Sequence, residues 1–362
     1  MEKELTSKNF IKKYATFAIL LLILCAAIVL IFDPYFHYHK PLPFLKAVLW
    51  EKEYQVPGSI DHLDYDAIIV GSSEAENYNN NWFTENFGCR PVKAIRSYGG
   101  VADLCYFLSR AFENRELKYV FYNLDVPTLA EADTTTFIQT GAPLYMYDKN
   151  PFNDVEYLFN KDVILEKIPY SAATSLVGDY DEGESYNWWQ WKTFSETGAL
   201  SNYFQHCGFK APKAADAGHD AVLKNIKLFT DIVEAHPDTQ FYFFLPPYSI
   251  LYWDNIFRSG ETEYYLYNEE LVMKSLLKYD NVRIFNFQTE KDIVFNLDNY
   301  MDALHFSKDI NHYLCNCLMD GTCELKSENE ITESVDKVRE YALTASDYVS
   351  QNYEGRIIQE TE

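Results

Sequence analysis

The chain has 362 residues, with 31 Lys and Arg against 54 Asp and Glu, and a formal net charge of −23; 48% of it is hydrophobic and 17% aromatic. That much apolar material supports one large domain or two small ones with a substantial core. The acidic balance argues against nucleic acid as a general ligand, because a polyanion is held by clustered Lys and Arg.

The first element is apolar. Ala15 to Phe32 reads ATFAILLLILCAAIVLIF, without a charge. As a helix at ~1.5 Å per residue it nearly crosses a ~30 Å hydrocarbon core. Lys3, Lys8, Lys12 and Lys13 precede it and Asp33 follows it. The positive-inside rule then predicts a cytoplasmic segment over 1–14, a single-pass transmembrane signal anchor over 15–32, and an extracellular remainder. A cleaved signal peptide is the competing reading. The length of the run and the lack of a small-x-small cleavage site favour the uncleaved anchor. Residues 33–64 open with DPYFHYHKPLPF and read as an aromatic, proline-rich juxtamembrane linker.

From Tyr65 onward strands and helices alternate. Tyr65–Val70 is an apolar run of the buried parallel-strand type, broken by Gly71-Ser72-Ser73. A short strand at Val92–Ile95 leads through Ser97-Tyr98-Gly99-Gly100 into a helix over Ala102–Phe112. Leu117–Leu124 is a second strong strand. Residues 131–212 are irregular and aromatic-rich, with Trp188, Trp189 and Trp191, and read as an insertion able to act as a lid. An amphipathic helix over Asp220–Ala235 precedes a third strong strand, Phe241–Leu245, stopped by Pro246-Pro247. A helix over Glu269–Tyr279, a strand over Val282–Phe287 and a loop over 296–307 lead to a helix ending near Met319. Residues 326–362 read as an acidic peripheral helix followed by disorder. This alternation predicts a three-layer α/β/α sandwich on a mostly parallel sheet.

Six cysteines follow the apolar segment: Cys89, Cys105, Cys207, Cys315, Cys317 and Cys323. An even number outside the membrane permits up to three disulfides, with Cys323 and either Cys315 or Cys317 the cheapest pair. Buried free thiols are the alternative. A zinc cluster fits less well, since Cys-x-Cys-x5-Cys matches no common zinc spacing.

In open parallel sheets ligands bind beyond the carboxyl ends of the strands. Gly71-Ser72-Ser73, Tyr98-Gly99-Gly100, Asn123-Leu124-Asp125 and Pro246-Pro247-Tyr248-Ser249 all fall there. A serine hydroxyl becomes nucleophilic once a base takes its proton and a third group orients that base. Of the eight histidines, His305 stands out, three residues after Asp302 on a loop before the last helix of the α/β region. Asp302 can hold one imidazole nitrogen and leave the other for a serine. Its competing roles are capping of the following backbone or metal ligation.

The order of Gly-Ser-Ser after the first strand, a glycine turn after the second and Asp-x-x-His near the end resembles the SGNH/GDSL hydrolase superfamily. Within the α/β domain expected over 65–325, the resemblance covers roughly Tyr65 to Met319, the insertion apart, and is to the membrane-anchored extracytoplasmic branch, which includes the D-alanyl transfer protein of teichoic acid modification and polysaccharide O-acetylation proteins. The resemblance implies Ser73 as nucleophile, His305 as general base and Asp302 as its orienter. It implies an oxyanion hole from the amides of Ser73 and Gly99 or Gly100, with Asn123 as a substitute donor and Tyr248 on the substrate side. The family's Gly-x-Asn-Asp block is absent, and Tyr122-Asn123-Leu124-Asp125 stands in its place. The expected function is serine-dependent O-acyl transfer to a cell-surface glycan or teichoic acid, with no cofactor and no metal. A membrane O-acyltransferase or acyl-export partner would supply the acyl group. A surface esterase with the same triad and a non-catalytic scaffold for such a partner are the alternatives.

Overall fold

The computed structural model describes residues 2–359, so the chain end expected to be disordered lies partly outside the described residues. The chain divides into two compact units. One is Met1–Leu63 with Gly141–Glu182; the other is Asp64–Thr140 with Gly183–Glu362.

The second unit is mixed α/β. Its strands, in chain order, are β1 (Ala67–Gly71), β2 (Pro91–Ile95), β3 (Tyr119–Asn123), β4 (Phe204–Gln205), β5 (Gln240–Leu245), β6 (Val282–Asn286), β7 (Glu324–Leu325) and β8 (Ile358–Gln359). Six form one sheet in the order β2-β1-β3-β5-β6-β7, parallel throughout except where β7 runs antiparallel to β6; β4 and β8 pair separately. The central strands are runs of branched and aromatic residues, Ile68-Ile69-Val70, Val120-Phe121-Tyr122 and Phe241 to Phe244, all buried. Such runs suit a strand covered on both faces and deny it an edge position. Helix Asn80–Phe87 lays Phe83 and Phe87 on Phe121 of β3, each with ring centroids 4.7 Å apart. Because the strands are parallel, the loops after Gly71, Ile95, Asn123 and Leu245 emerge at one end of the sheet.

The acidic helix Glu328–Tyr353 is no peripheral appendage. Ile331, Val335, Val338, Ala342, Ala345, Val349 and Tyr353 recur every three or four residues and are all buried. This face packs on helices Ile250–Arg258 and Thr262–Leu276. At its centre the Ser346 hydroxyl meets Asp254, whose carboxylate also accepts from Arg258 Nε (2.7 Å), the Tyr203 hydroxyl (2.8 Å) and Gln205 Nε2 (2.6 Å). Acidic residues on the outer face hide the apolar stripe from a composition-based reading.

The first unit contains helix Glu2–Phe32, whose stretch Ser7–Phe32 is long and apolar enough to cross a membrane. Of the juxtamembrane residues 33–64, all but Asp64 fold within this unit. Asp33 is fully buried and gathers the backbone amides of His37 (3.0 Å), Tyr38 (2.7 Å) and His39 (3.0 Å) with the Tyr157 hydroxyl (2.8 Å). Such charge-assisted bonds stabilise a tight turn. Helix Lys52–His62 follows, burying Val56 and Ile60. The insertion expected over 131–212 is therefore split: 141–182 belongs with the N-terminal residues, while 183–212 belongs with the sheet.

Cys89, Cys105, Cys315, Cys317 and Cys323 are free thiols, the first four buried, so the disulfide expectation gives way to the buried-thiol reading. Burial pushes the Cys89 thiol up to about 12.

Burial of Ile331, Val335, Val338, Tyr341, Val349 and Tyr353 of helix Glu328–Tyr353, at about 1.5–3 kcal/mol each, matches the whole stability of an ordinary domain. A chain ending at Lys326 is therefore expected to lose cooperative thermal unfolding, as read by circular dichroism.

Candidate active site

The site begins where β1 stops. Gly71 has no room for a side chain: a Cβ there would lie 2.6 Å from the Cβ of Ala75 and 3.0 Å from that of Asn123. The chain therefore folds straight back on the strand end as a single 3-10 turn, Ser73–Asn77. Three buried side chains hold that turn. Lys93 of β2 donates to the Glu76 carbonyl (2.7 Å), the Ser185 carbonyl (2.6 Å) and Asn187 Oδ1 (2.6 Å). Burial pulls the Lys93 pKa down to about 7, against the opposing charges of Glu76 and Glu184. Asn311 Nδ2 donates to the Glu74 carbonyl at 3.1 Å. Asn77 Oδ1 accepts the amides of Trp188 (3.1 Å) and Trp189 (3.2 Å), tying the tryptophan segment to the same turn.

Ser73 Oγ lies 2.7 Å from His305 Nε2, and His305 Nδ1 lies 2.8 Å from Asp302 Oδ2. The other Asp302 oxygen accepts the backbone amides of Leu304 and His305, each at 2.8 Å, so Asp302 both caps the loop and holds the ring. The loop is fixed from outside as well. Tyr300 donates its hydroxyl to the Pro247 carbonyl (2.6 Å), and Ser249 donates both its amide (3.1 Å) and its hydroxyl (2.8 Å) to the Ala303 carbonyl. The Pro246–Ser249 turn thus clamps the histidine loop.

Burial works against the charged imidazole, but the hydrogen bond and charge of Asp302 outweigh it, and Glu74 and Glu76 add to them; the His305 pKa is raised. Burial alone would raise Asp302, yet His305 and the two amides hold its carboxyl below the usual range. Trp188 packs its ring edge-on to His305, with centroids 5.4 Å apart. This is the arrangement of nucleophile, base and orienter that activates a serine.

Other expected residues fall differently. The Gly99 amide is taken by the Arg96 carbonyl (3.1 Å) in a turn that puts Tyr98 at φ +55, which leaves Gly100 as the glycine donor of that loop. Tyr248 does not face substrate: it is fully buried, and its hydroxyl donates to Asp125 at 2.6 Å. Asn123 is fully buried beside Gly71, and neither its Nδ2 nor its Oδ1 has a partner. Because the Gly71 and Asn123 Cβ directions meet, Asn123 lies on the face of β3 covered by the Ser73–Asn77 turn. Sequence reading missed Lys93, Glu74 and Asp125. A lysine inside an apolar strand, Val92-Lys93-Ala94-Ile95, was the available signal for the first. Scanned against protein-family models the chain matches none, and a search of curated proteins returns no match.

Replacing Lys93 with Met would leave three buried acceptors unpaired, at about 1–3 kcal/mol each. The expected loss is about 3 kcal/mol or more, read as a shift in the urea midpoint at unchanged slope. Because His305 is charged below a raised pKa, any reaction that uses it as a base should gain rate through a midpoint above 6.5. A midpoint below 6.5 in the pH profile contradicts the Asp302 contact.

Proposed function

We propose that this protein is a serine-dependent acyltransferase of the SGNH type, with Ser73 as the acyl-carrying residue. The observation that carries this reading is the continuous hydrogen-bonded chain Ser73–His305–Asp302 at the carboxyl end of a parallel sheet. The resemblance of Gly71-Ser72-Ser73 and Asp302-x-x-His305 to that superfamily supports it. So do strands buried on both faces, as a three-layer sandwich requires.

In the first half-reaction Ser73 Oγ attacks the acyl carbonyl while His305 Nε2 takes the hydroxyl proton. Asp302 stabilises the resulting imidazolium. The amides of Ser73 and Gly100 and the side-chain amide of Asn123 are the donors for the tetrahedral oxyanion, each worth roughly 3–4 kcal/mol at the transition state. Collapse expels the leaving group, which takes the proton from His305 and leaves the acyl ester on Ser73. In the second half His305 removes a proton from an acceptor hydroxyl, which attacks the ester and regenerates Ser73. A polymer hydroxyl gives transfer; water gives hydrolysis. The unpaired amide of Asn123 favours a working site over a bare scaffold, because a buried amide without a partner costs stability.

The candidate membrane span and the lysines before it support an anchor with the N-terminus cytoplasmic and the catalytic unit extracellular. That topology calls for a membrane partner that delivers the acyl group and for a cell-surface glycan or teichoic acid as acceptor.

A fluorophosphonate probe should label the full-length protein in membranes, and Ser73→Ala should abolish labelling. His305→Ala should slow it by about 10³-fold or more. Folded protein that takes no label, or labelling that survives Ser73→Ala, would overturn the assignment. Transfer and hydrolysis separate by whether p-nitrophenyl acetate turnover rises when glycan is added.

A further inference from the structure

Two aromatic side chains on the loops around the nucleophile stand almost wholly in solvent, and the acyl-enzyme chemistry does not use them. Tyr98 is 91% exposed and Trp191 78%. Single exposed aromatics are ordinary on a protein surface. These two, however, sit on segments fastened to the Ser73–Asn77 turn. The Arg96 amide donates to the Gly71 carbonyl at 3.2 Å, and the Ser97 hydroxyl reaches Glu76 Oε1 at 3.4 Å, which sets the Tyr98 loop against that turn. On the other segment Asn77 accepts the Trp188 and Trp189 amides, and the Trp191 amide donates to the Trp188 carbonyl at 3.2 Å. Trp188 in turn packs edge-on to His305.

Tyr98 is held under strain. At φ +55 it lies in the left-handed region, where a Cβ crowds the backbone and glycine or asparagine is the usual occupant. A glycine at 98 would make the same turn without that strain. The tyrosine ring makes no ring contact and its hydroxyl no hydrogen bond among the described residues, so no contact inside the protein offsets the strain. Strained residues of this kind cluster at active sites and ligand clamps. Trp189 has one face covered by the Lys308 ammonium, 3.8 Å from the ring centroid, whereas the Trp191 ring has no such cover among the described residues.

We propose that Tyr98 and Trp191 are the acceptor platform of this site, and that they stack on the pyranose rings of an uncharged cell-surface glycan. The inference rests on the reading of Ser73 as the acyl-carrying residue. An aromatic face is electron-rich, and a pyranose ring offers it a flat, weakly positive face of C–H groups. A polyol-phosphate chain has no such face. Glu74 and Glu76 in the Ser73–Asn77 turn, and Asp302 on His305, also oppose a chain of phosphates. Once a sugar is stacked, His305 Nε2 takes the proton of one ring hydroxyl and the hydroxyl oxygen bonds the acyl carbon. Ser73 Oγ then leaves with that proton.

Two stacking positions suit a polymer better than a single sugar. One exposed ring holds one pyranose weakly, since water competes for both. With a chain long enough to reach both positions, the second contact forms within the complex and adds to the first. Affinity should therefore climb with chain length, a monosaccharide binding about a hundredfold more weakly than a hexasaccharide. The strain at Tyr98 has its own readout. Tyr98→Gly relieves it, so the urea midpoint should hold or rise while the acceptor is lost.

Full-length Ser73→Ala protein in detergent micelles cannot turn over, so it reports binding alone. Chitohexaose and maltohexaose serve as uncharged pyranose probes, with a glycerol-phosphate hexamer as the charged alternative. Saturation-transfer NMR on the ligand and calorimetry read the binding. At least one of the two sugars should bind, and Tyr98→Ala and Trp191→Ala should each weaken it about tenfold. Tyr98→Phe and Trp191→Phe keep a ring and should recover most of that loss. Binding of neither sugar, or sugar binding indifferent to both alanine changes, overturns the platform. So does a glycerol-phosphate hexamer bound in preference through these two residues. A lower urea midpoint in Tyr98→Gly gives Tyr98 a structural role and overturns its part in the platform. Native protein that takes no fluorophosphonate label sinks the Ser73 reading, and the sugar titration then decides the platform by itself.

Discussion

The site depends on one tight packing constraint, the closure of the Ser73–Asn77 turn against the end of β1. A side chain at residue 71 would collide with Ala75, so a glycine there lets the turn lie flat on the strands. Everything that gives Ser73 a direction acts on this turn. Lys93 holds it from β2, Asn311 holds it from helix Lys308–Asp320, and the Ser72 hydroxyl bonds Glu74 at its start. A serine on a free loop would lose rotational freedom on every approach to its base, at a cost of about a kcal/mol or more per fixed residue. Here that cost is met during folding, which is the physical content of preorganisation.

The electrostatics have a single sign. Asp302, Glu74 and Glu76 all raise the His305 pKa, and Lys93 is spent on backbone and amide oxygens. A base in such a field is strong once deprotonated and slow to become so.

Much of this was legible in the residues themselves. The strands over β1, β3 and β5 announce themselves as apolar and aromatic runs, because strands covered on both faces need no polar alternation. Position brings the site together, with a serine pair after the first strand and Asp302 three residues before His305 on the loop leading to helix Lys308–Asp320, and the resemblance selects Ser73 from the pair. What escaped was long-range or hidden by composition. Asp33 organises residues 33–64 through bonds to His37, Tyr38, His39 and Tyr157, and no local pattern predicts the last of these. Helix Glu328–Tyr353 was read as peripheral because its acidic face dominates the composition, although its apolar positions recur at helical spacing. The resemblance sets Tyr248 on the substrate side, but the Pro246–Ser249 turn directs it inward onto Asp125.

The end of β3 illustrates why a missing motif is not a missing function. Asn123-Leu124-Asp125 departs from the pattern of the superfamily the chain resembles, and as a string it looks like a loss. In extended backbone residues two apart point the same way. Leu124 continues the ladder by donating its amide to the Phe244 carbonyl at 2.9 Å, and Asp125 itself keeps extended angles. Asn123 and Asp125 are therefore both directed at the Ser73 turn, while Leu124 faces away into the core. One strand end delivers an unpaired amide beside the Ser73–Asn77 turn and, two residues on, the Asp125 carboxyl that accepts from Tyr248. An Asn123→Asp change would set a third buried carboxyl beside Glu74 and Asp125. It should disable the site more severely than Asn123→Ala, which removes a donor and adds no charge. The comparison of the two labelling rates separates a donor role from mere packing.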